Sequence, residues 1–406
     1  MSEPTLSPSG HLGGVSATVP SGEQQRVEPS SRGVTEPTAL ARMLDSPGAR
    51  SLGLVIALAV LVVVGVWTGG ERFASIDNTL TILRFASVIG VVSIGMTFVV
   101  IGGGIDLSVG AIAALASIWC TTVATQAIAA DTHWIVMVGT ALLVGAGCGL
   151  VNGLLIAYGR LAPFIATLAM LAAARGLAEI IAQRRTQLVS ERGFVDFFGG
   201  DVLGIPRLVV IFALVAIAGW VVLNRTTYGR RTLAVGGNPE AARLAGIRVQ
   251  RHIASLYVLL GTTCGIAAVM IVARTTTGSS THGTLWELDA IAAVVIGGTL
   301  LSGGRGTIVG TVLGVLIFAM LTNVFTLNNL DTSTQAVAKG VIIVAAVLLQ
   351  QRLATGGFSF RRPGAGTSPG GPVATGSPAG ALSGGTGPDG GPGGARPGDA
   401  MDRPPT

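Results

Sequence analysis

The chain has 406 residues, half of them hydrophobic and only 11% charged. Soluble domains carry about 25% charged residues, so this composition excludes an ordinary soluble protein and points to an all-α polytopic membrane protein. The formal charge of +6 does not imply nucleic acid, because the arginines gather at the ends of apolar runs, as the positive-inside rule describes.

Residues 1–50 are rich in Ser, Pro, Gly and Glu without apolar periodicity, and read as a disordered cytoplasmic leader. They are not a signal peptide, since the first apolar run begins only near Ser51. That run, 51–67, is nearly charge-free and with its flanks long enough to span a bilayer. A second run covers 78–102, and the stretch GIDLSVG at 104–110 opens a third that reaches about residue 130. The fourth, 134–158, carries Gly145, Gly149 and Gly153 at four-residue spacing; the fifth, 163–181, contains Arg175 and Glu179. Residues 183–207 are polar and loop-like, and 208–223 is a sixth run.

A polar, arginine-dense island follows at 225–251. It holds a short helix with punctuation at both ends. Asn238 is a good N-cap, and Pro239 fits the first helical position. Glu240 complements the N-terminal dipole, and Gly246 suits the position after the last turn. A helix of about two turns is too short to stand alone in water, so something must pack on it. It reads either as a docking surface for a cytoplasmic partner or as an ordinary amphipathic loop.

The second half continues with apolar runs at 253–273, 287–301, 307–325 and 334–349. The tail, 353–406, is Gly/Pro/Ser-rich and reads as disordered. The transmembrane domain is therefore 51–352, with about ten membrane-embedded helices. An even count puts both termini on one side. Placing Arg42, Arg50, Arg160, the island, Arg305, Arg352, Arg361 and Arg362 in the cytoplasm obeys the positive-inside rule; Arg184, Arg185 and Arg192 are the exceptions.

An internal echo suggests two inverted repeats. IDLSVGAIAAL opens the third run and ELDAIAAVVIG the eighth, and the Gly145/Gly149/Gly153 spacing recurs at Gly306/Gly310/Gly314. The matching runs are five apart, which would invert the copies.

Chemistry-bearing residues are few. Asp106 lies beside a glycine run at a helix start, where it or Ser108 would cap the helix or border a translocation path. Glu287 and Asp289 sit at the start of the eighth run, favouring its dipole. Arg175 and Glu179 are spaced to pair on one helix face. Asn152 and Asn323 are candidates for hydrogen bonds between helices. Lys339 would snorkel, pair with an acid or line a cavity. It is the only lysine, and Gly340 and Val341 follow it, so the chain has no Walker A loop. ATP, if it drives the process, is bound by another chain. Cys120, Cys148 and Cys264 all lie in apolar runs without metal or disulfide spacing. No metal site, cofactor site or catalytic constellation emerges, so the expectation is a protein that is not an enzyme.

Four stretches carry a resemblance: GMTFVVIGGGIDLSVGAIAAL, GLVNGLLIAYGRLAPFIATLAMLAAARGLA, AVGGNPEAARLAGI and ELDAIAAVVIGGTLLSGGRGTIVGTVLGVLI. In this order they resemble the monosaccharide permeases of bacterial ATP-binding cassette (ABC) importers. These are the ribose/xylose/galactofuranose type, related to branched-chain amino acid permeases. The resemblance covers roughly 51–352 and leaves out both tails. A glycine triplet at 102–104 stands where the family more usually has Ser/Thr-Gly-Gly. The resemblance implies a multi-pass protein of the bacterial cytoplasmic membrane, embedded in lipid, about ten helices per half, paired with a second copy or a sister permease. It implies an extracytoplasmic sugar-binding protein outside, and an ABC ATPase gripping a coupling helix inside. Carried over, that helix involves Gly237, Asn238, Pro239, Glu240, Ala241 and Arg243. Asp106, Ser108, Asn152 and Asp289 become candidates for the translocation path. The alternative class is an ion-coupled secondary transporter of a small polar solute, which would want a chain of carboxylates or histidines across the membrane.

Overall fold

The computed structural model describes residues 47–354, most of them helical. The leader and tail expected at 1–50 and 353–406 lie outside the described residues, apart from their innermost positions, which are helical. In chain order the helices are α1 Pro47–Gly69, α2 Glu71–Ala74, α3 Ile76–Ile101, α4 Val109–Cys120 and α5 Val123–Asp131. Then come α6 Ile135–Ala157, α7 Pro163–Ala182, α8 Arg192–Gly199, α9 Arg207–Arg225, α10 Thr227–Gly237 and α11 Pro239–Leu244. The last four are α12 Val249–Thr275, α13 Trp286–Ile296, α14 Ile308–Leu327 and α15 Thr332–Ala354. Four two-residue strands, β1 Gln187–Leu188, β2 Asp201–Val202, β3 Ile205–Pro206 and β4 Thr277–Gly278, complete it.

Local chemistry sets several boundaries. Ser75 starts α3 by accepting the Asn78 N–H at 3.1 Å, Thr307 starts α14 by accepting that of Gly310 at 3.1 Å, and Pro163 occupies the first turn of α7. Asp331 caps α15 through the Thr334 N–H at 2.9 Å and hydroxyl at 2.6 Å. Those bonds to Thr334 hold its carboxyl below the usual range.

Each of the ten expected apolar runs is helical over part or all of its length, and among the described residues seven helices are long and apolar enough to cross a membrane: α1, α3, α6, α7, α9, α12 and α14. Two of the other runs are not single straight spans. The third run breaks into α4 and α5, bent by 54°, and counts as an eighth span only if the pair is taken together. Thr122 makes the break by capping α5 at the Thr125 N–H, 3.2 Å away. The eighth run yields α13, whose 11 residues rise about 16 Å, half a hydrocarbon core. α15 is helical over 23 residues, Thr332–Ala354.

Two helices form the centre. Of their most apolar windows, 83% of α3 and 78% of α12 are buried, against 6% of α1, as expected of helices that are apolar all round. α6 lies along α12 at very close range. A Cβ on Gly145 or Gly149 would overlap the backbone oxygen of Gly261 or Tyr257, and one on Gly153 would stand 2.7 Å from that of Ala254. Small residues permit this backbone approach. Inversion of the repeat would turn the second glycine stripe toward α3. Instead Gly310 and Gly314 press on the backbone of Gly297 and Ala293, in and just after α13. Gly306 lies ahead of α14. The two stripes are not used equivalently.

Residues 183–207, expected to be loop, are ordered by partners. β1 pairs antiparallel with β4, and β2 with β3. The β2–β3 hairpin turns through Leu203 and Gly204, both with positive φ (54° and 80°), as a two-residue turn between twisted strands requires. α8 buries Phe194 and Phe198, and Trp134 stacks on Phe197 at 4.7 Å. Strands of two residues leave no period in a sequence, which is why they were not expected.

Candidate functional site

The island at 225–251 is two helices, not one. α10 precedes the expected helix and is tied to α12 by two side-chain pairs, Tyr228–Ser255 at 2.9 Å and Thr232–His252 at 2.9 Å. Burial pushes the Tyr228 phenol above its ordinary pKa. α11 then starts and stops where its sequence says. Asn238 Oδ1 accepts the N–H groups of Glu240 and Ala241, each at 3.0 Å, with Pro239 in the first turn. At the other end Gly246 takes φ +82°. Its N–H reaches the Arg243 carbonyl at 3.0 Å, and the Ile247 N–H reaches that of Ala242 at 3.0 Å. These two bonds form a Schellman motif.

α11 is seated by its inner face. Ala242 packs in a small apolar cluster with Val235 and Val249. Leu244, 91% exposed, and the Glu240–Arg243 ion pair, with contacts of 2.8 and 2.9 Å, face outward. Two residues before the cap, the chain passes a glycine junction. Gly236 sits against the Ile101 carbonyl at the end of α3 and the Gly304 N–H between α13 and α14, and Gly304 N–H donates to Ile101 at 2.8 Å. No Cβ fits at Gly236.

Three of the four path candidates meet in a buried cluster. Asp106 Oδ1 accepts from the Ser108 N–H at 2.7 Å and hydroxyl at 2.5 Å. Asn152 Nδ2, from α6, donates to Asp106 Oδ2 at 3.2 Å and to Ser108 Oγ at 3.0 Å. All three residues are at most 1% exposed. Of the two capping candidates it is Asp106 that takes an N–H at the helix start, that of Ser108; Ser108 holds the N-cap position of α4, and its own side chain caps nothing there. The carboxylate closes a turn on Ser108 and ties it to α6. Tyr257 Oη, across the cluster near Gly104, and Asn152 Oδ1 have no hydrogen-bond partner among the described residues.

Asp289 lies apart from this cluster. It pairs with Lys339 Nζ at 3.1 and 3.2 Å, which resolves the role left open for the lysine. Asn323 fulfils its expectation through a reciprocal pair with Asn78, at 3.1 and 2.7 Å. The expected Arg175–Glu179 pairing is replaced. Arg175 Nη1 donates to the carbonyls of Ser280 and His282, while Glu179 faces Arg184 at 3.7 Å. The partners of Arg175 stand 105 and 107 residues away, beyond any reading of helical spacing.

Long apolar helices around two buried ones, a carboxylate cluster at their centre and a capped helix on a loop at one end define a multi-pass membrane protein of the permease class. Residues 78–347 match the family described as branched-chain amino acid transport system / permease component. The chain belongs to that family, and is a transport component rather than an enzyme. It is 41% identical over 305 residues to the ribose import permease protein RbsC of Bacillus subtilis, covering 75% of this chain and 93% of the relative. The ribose import permease protein RbsC of Escherichia coli K12 is 39% identical over 302 residues, 73% and 92% of the two chains. The fructose import permease protein FrcC of Rhizobium meliloti is 37% identical over 316 residues, 76% and 86% of the two. No solved structure matches the chain.

Proposed function

We propose that this chain is the membrane subunit of an ABC importer that carries a monosaccharide across the bacterial cytoplasmic membrane. Relatives that import ribose and fructose support the substrate class. The observation that carries the coupling role is α11: six residues capped at both ends, anchored by Ala242, with Glu240, Arg243 and Leu244 turned outward. Gly237, Asn238, Pro239, Glu240, Ala241 and Arg243 form the contact for a cytoplasmic ABC ATPase, which binds the ATP. Both termini lie on that side. A sugar-binding protein delivers substrate at the opposite face, and a second copy or sister permease completes the pathway. Ten segments are embedded, with α4 and α13 as half-length, acid-led members of two inverted halves. Asp106, Ser108 and Asn152 border the path, with Asp289 on a separate stretch of it.

The test is uptake of labelled monosaccharides by cells carrying the native chain or Glu240→Arg with Arg243→Glu. The exchange keeps the ion pair within α11 but reverses the charges shown to a partner. Uptake and ATPase co-purification both fall while membrane expression holds. An ATPase still bound with uptake unchanged removes α11 as the docking helix.

A further inference from the structure

Between α12 and α13 the chain leaves the helix at 276–285 and descends inside the bundle. Gly278 presses on Ser117 and Thr121 at the C-terminal end of α4, and Gly283 presses on Gly110 at its N-terminal end. Between them Ser117 Oγ donates to the Ser279 carbonyl at 3.4 Å and lies 3.3 Å from His282 Nδ1. The loop therefore follows α4 along nearly its full length, a depth of about 16 Å. α13 covers a further 16 Å or so. The turn after it is tied to the end of α3, where Gly304 N–H donates to the Ile101 carbonyl. Loop and helix together fill the roughly 30 Å of a hydrocarbon core. Residues 279–285 thus run from one side of the core to its middle, as turns rather than as a helix.

Irregular backbone at that depth persists only where protein covers it or water reaches it. Arg175 covers one side, donating to the carbonyls of Ser280 and His282. The other side is open: Thr281, Thr284 and Leu285 are exposed, while the half-buried Glu287 turns its carboxylate toward Gly110 of α4. Hydroxyls on an open face are groups that recognise a neutral polyol, by hydrogen bonds rather than by charge.

We propose that the open face of the 279–285 loop lines the translocation path, with Thr281 and Thr284 hydrogen-bonding the sugar in transit and Arg175 as the residue that positions the loop. This rests on the monosaccharide-importer reading. Arg175 acts through the loop backbone and does not touch the sugar.

The test is cysteine accessibility in membranes holding the assembled transporter, with a charged, membrane-impermeant thiol reagent. Thr284→Cys is compared with Leu143→Cys, an α6 position 76% exposed on the apolar surface. The unsubstituted protein measures labelling of its own cysteines. Thr284→Cys should label severalfold faster than Leu143→Cys, and ribose or fructose, whichever the native protein takes up, should slow it severalfold. Adding Arg175→Gln should abolish that protection with the protein still present, and Arg175→Lys should restore part of it. Labelling no faster than at Leu143→Cys overturns the proposal, placing the loop against lipid or a second copy. Fast labelling without sugar protection overturns the contact. If the native chain takes up no monosaccharide, the substrate reading fails, while the contrast between the two cysteines still decides whether the loop is wet.

Discussion

Asp106 is held by three donors, the N–H and hydroxyl of Ser108 and the amide of Asn152, and all of them are buried with it. A buried polar group that loses its partner keeps the cost of having left water. Asp106→Ala leaves the Ser108 N–H and one Asn152 contact unmade, so it should destabilise the protein by about 1–3 kcal/mol. Thermal unfolding in detergent reads this out. Asp106→Asn keeps the shape and should lose less, because one oxygen still accepts from Ser108. Equal loss in both would mean that the charge itself, rather than the acceptor, is what the cluster requires. At this scale the sequence exposed Asp106, Ser108 and Asn152 as separate candidates, since a carboxylate among apolar residues stands out. Their meeting was not visible, because Asn152 arrives from a helix 44 to 46 residues further along.

At the scale of elements, the α6–α12 seam is the most extensive helix–helix contact among the described residues, and it depends on the absence of side chains. Gly149→Leu would drive a side chain into the Tyr257 backbone. Overpacking costs about 1–3 kcal/mol where neighbours can yield, and here the neighbour is backbone. The expected outcome is a lower yield of folded protein in membranes, measured beside Gly147→Leu. At Gly147 no atom lies within 4 Å of an added Cβ. The four-residue glycine spacing was legible as a packing stripe, and the structure supplied its partner. α11 is the opposite case, since its caps lie within a few residues of one another and its ends were legible in full. α4, α5 and α13 are the elements whose extent the apolar runs did not give. Hydropathy reports how apolar a run is, and not whether the chain crosses, bends or turns back within the bilayer.

For the whole molecule, the glycine junction joins three places far apart in the chain: the end of α3, the end of α10 just before α11, and the α13–α14 turn. A force applied at α11 has a short path to the buried centre through it. Gly236→Ala would push a methyl group into the Ile101 carbonyl while leaving the outward face of α11 unchanged. The expected result separates docking from transmission: the ATPase still co-purifies, and uptake falls. Retained uptake would show that the junction is not on the route.

Membrane embedding, the run of apolar segments, the caps of α11 and the absence of a nucleotide-binding loop were determined by the sequence alone. Each is a property of composition or of residues within about one helical turn of each other. The tertiary structure decided the rest. It joined Asp106 to Asn152, paired Asp289 with Lys339 and turned Arg175 away from Glu179 toward the descending loop. It also limited α13 to 11 residues, about half the length of a span. These arrangements depend on which helices become neighbours, and that is set by backbone approach at small residues and by the need to satisfy every polar group away from water.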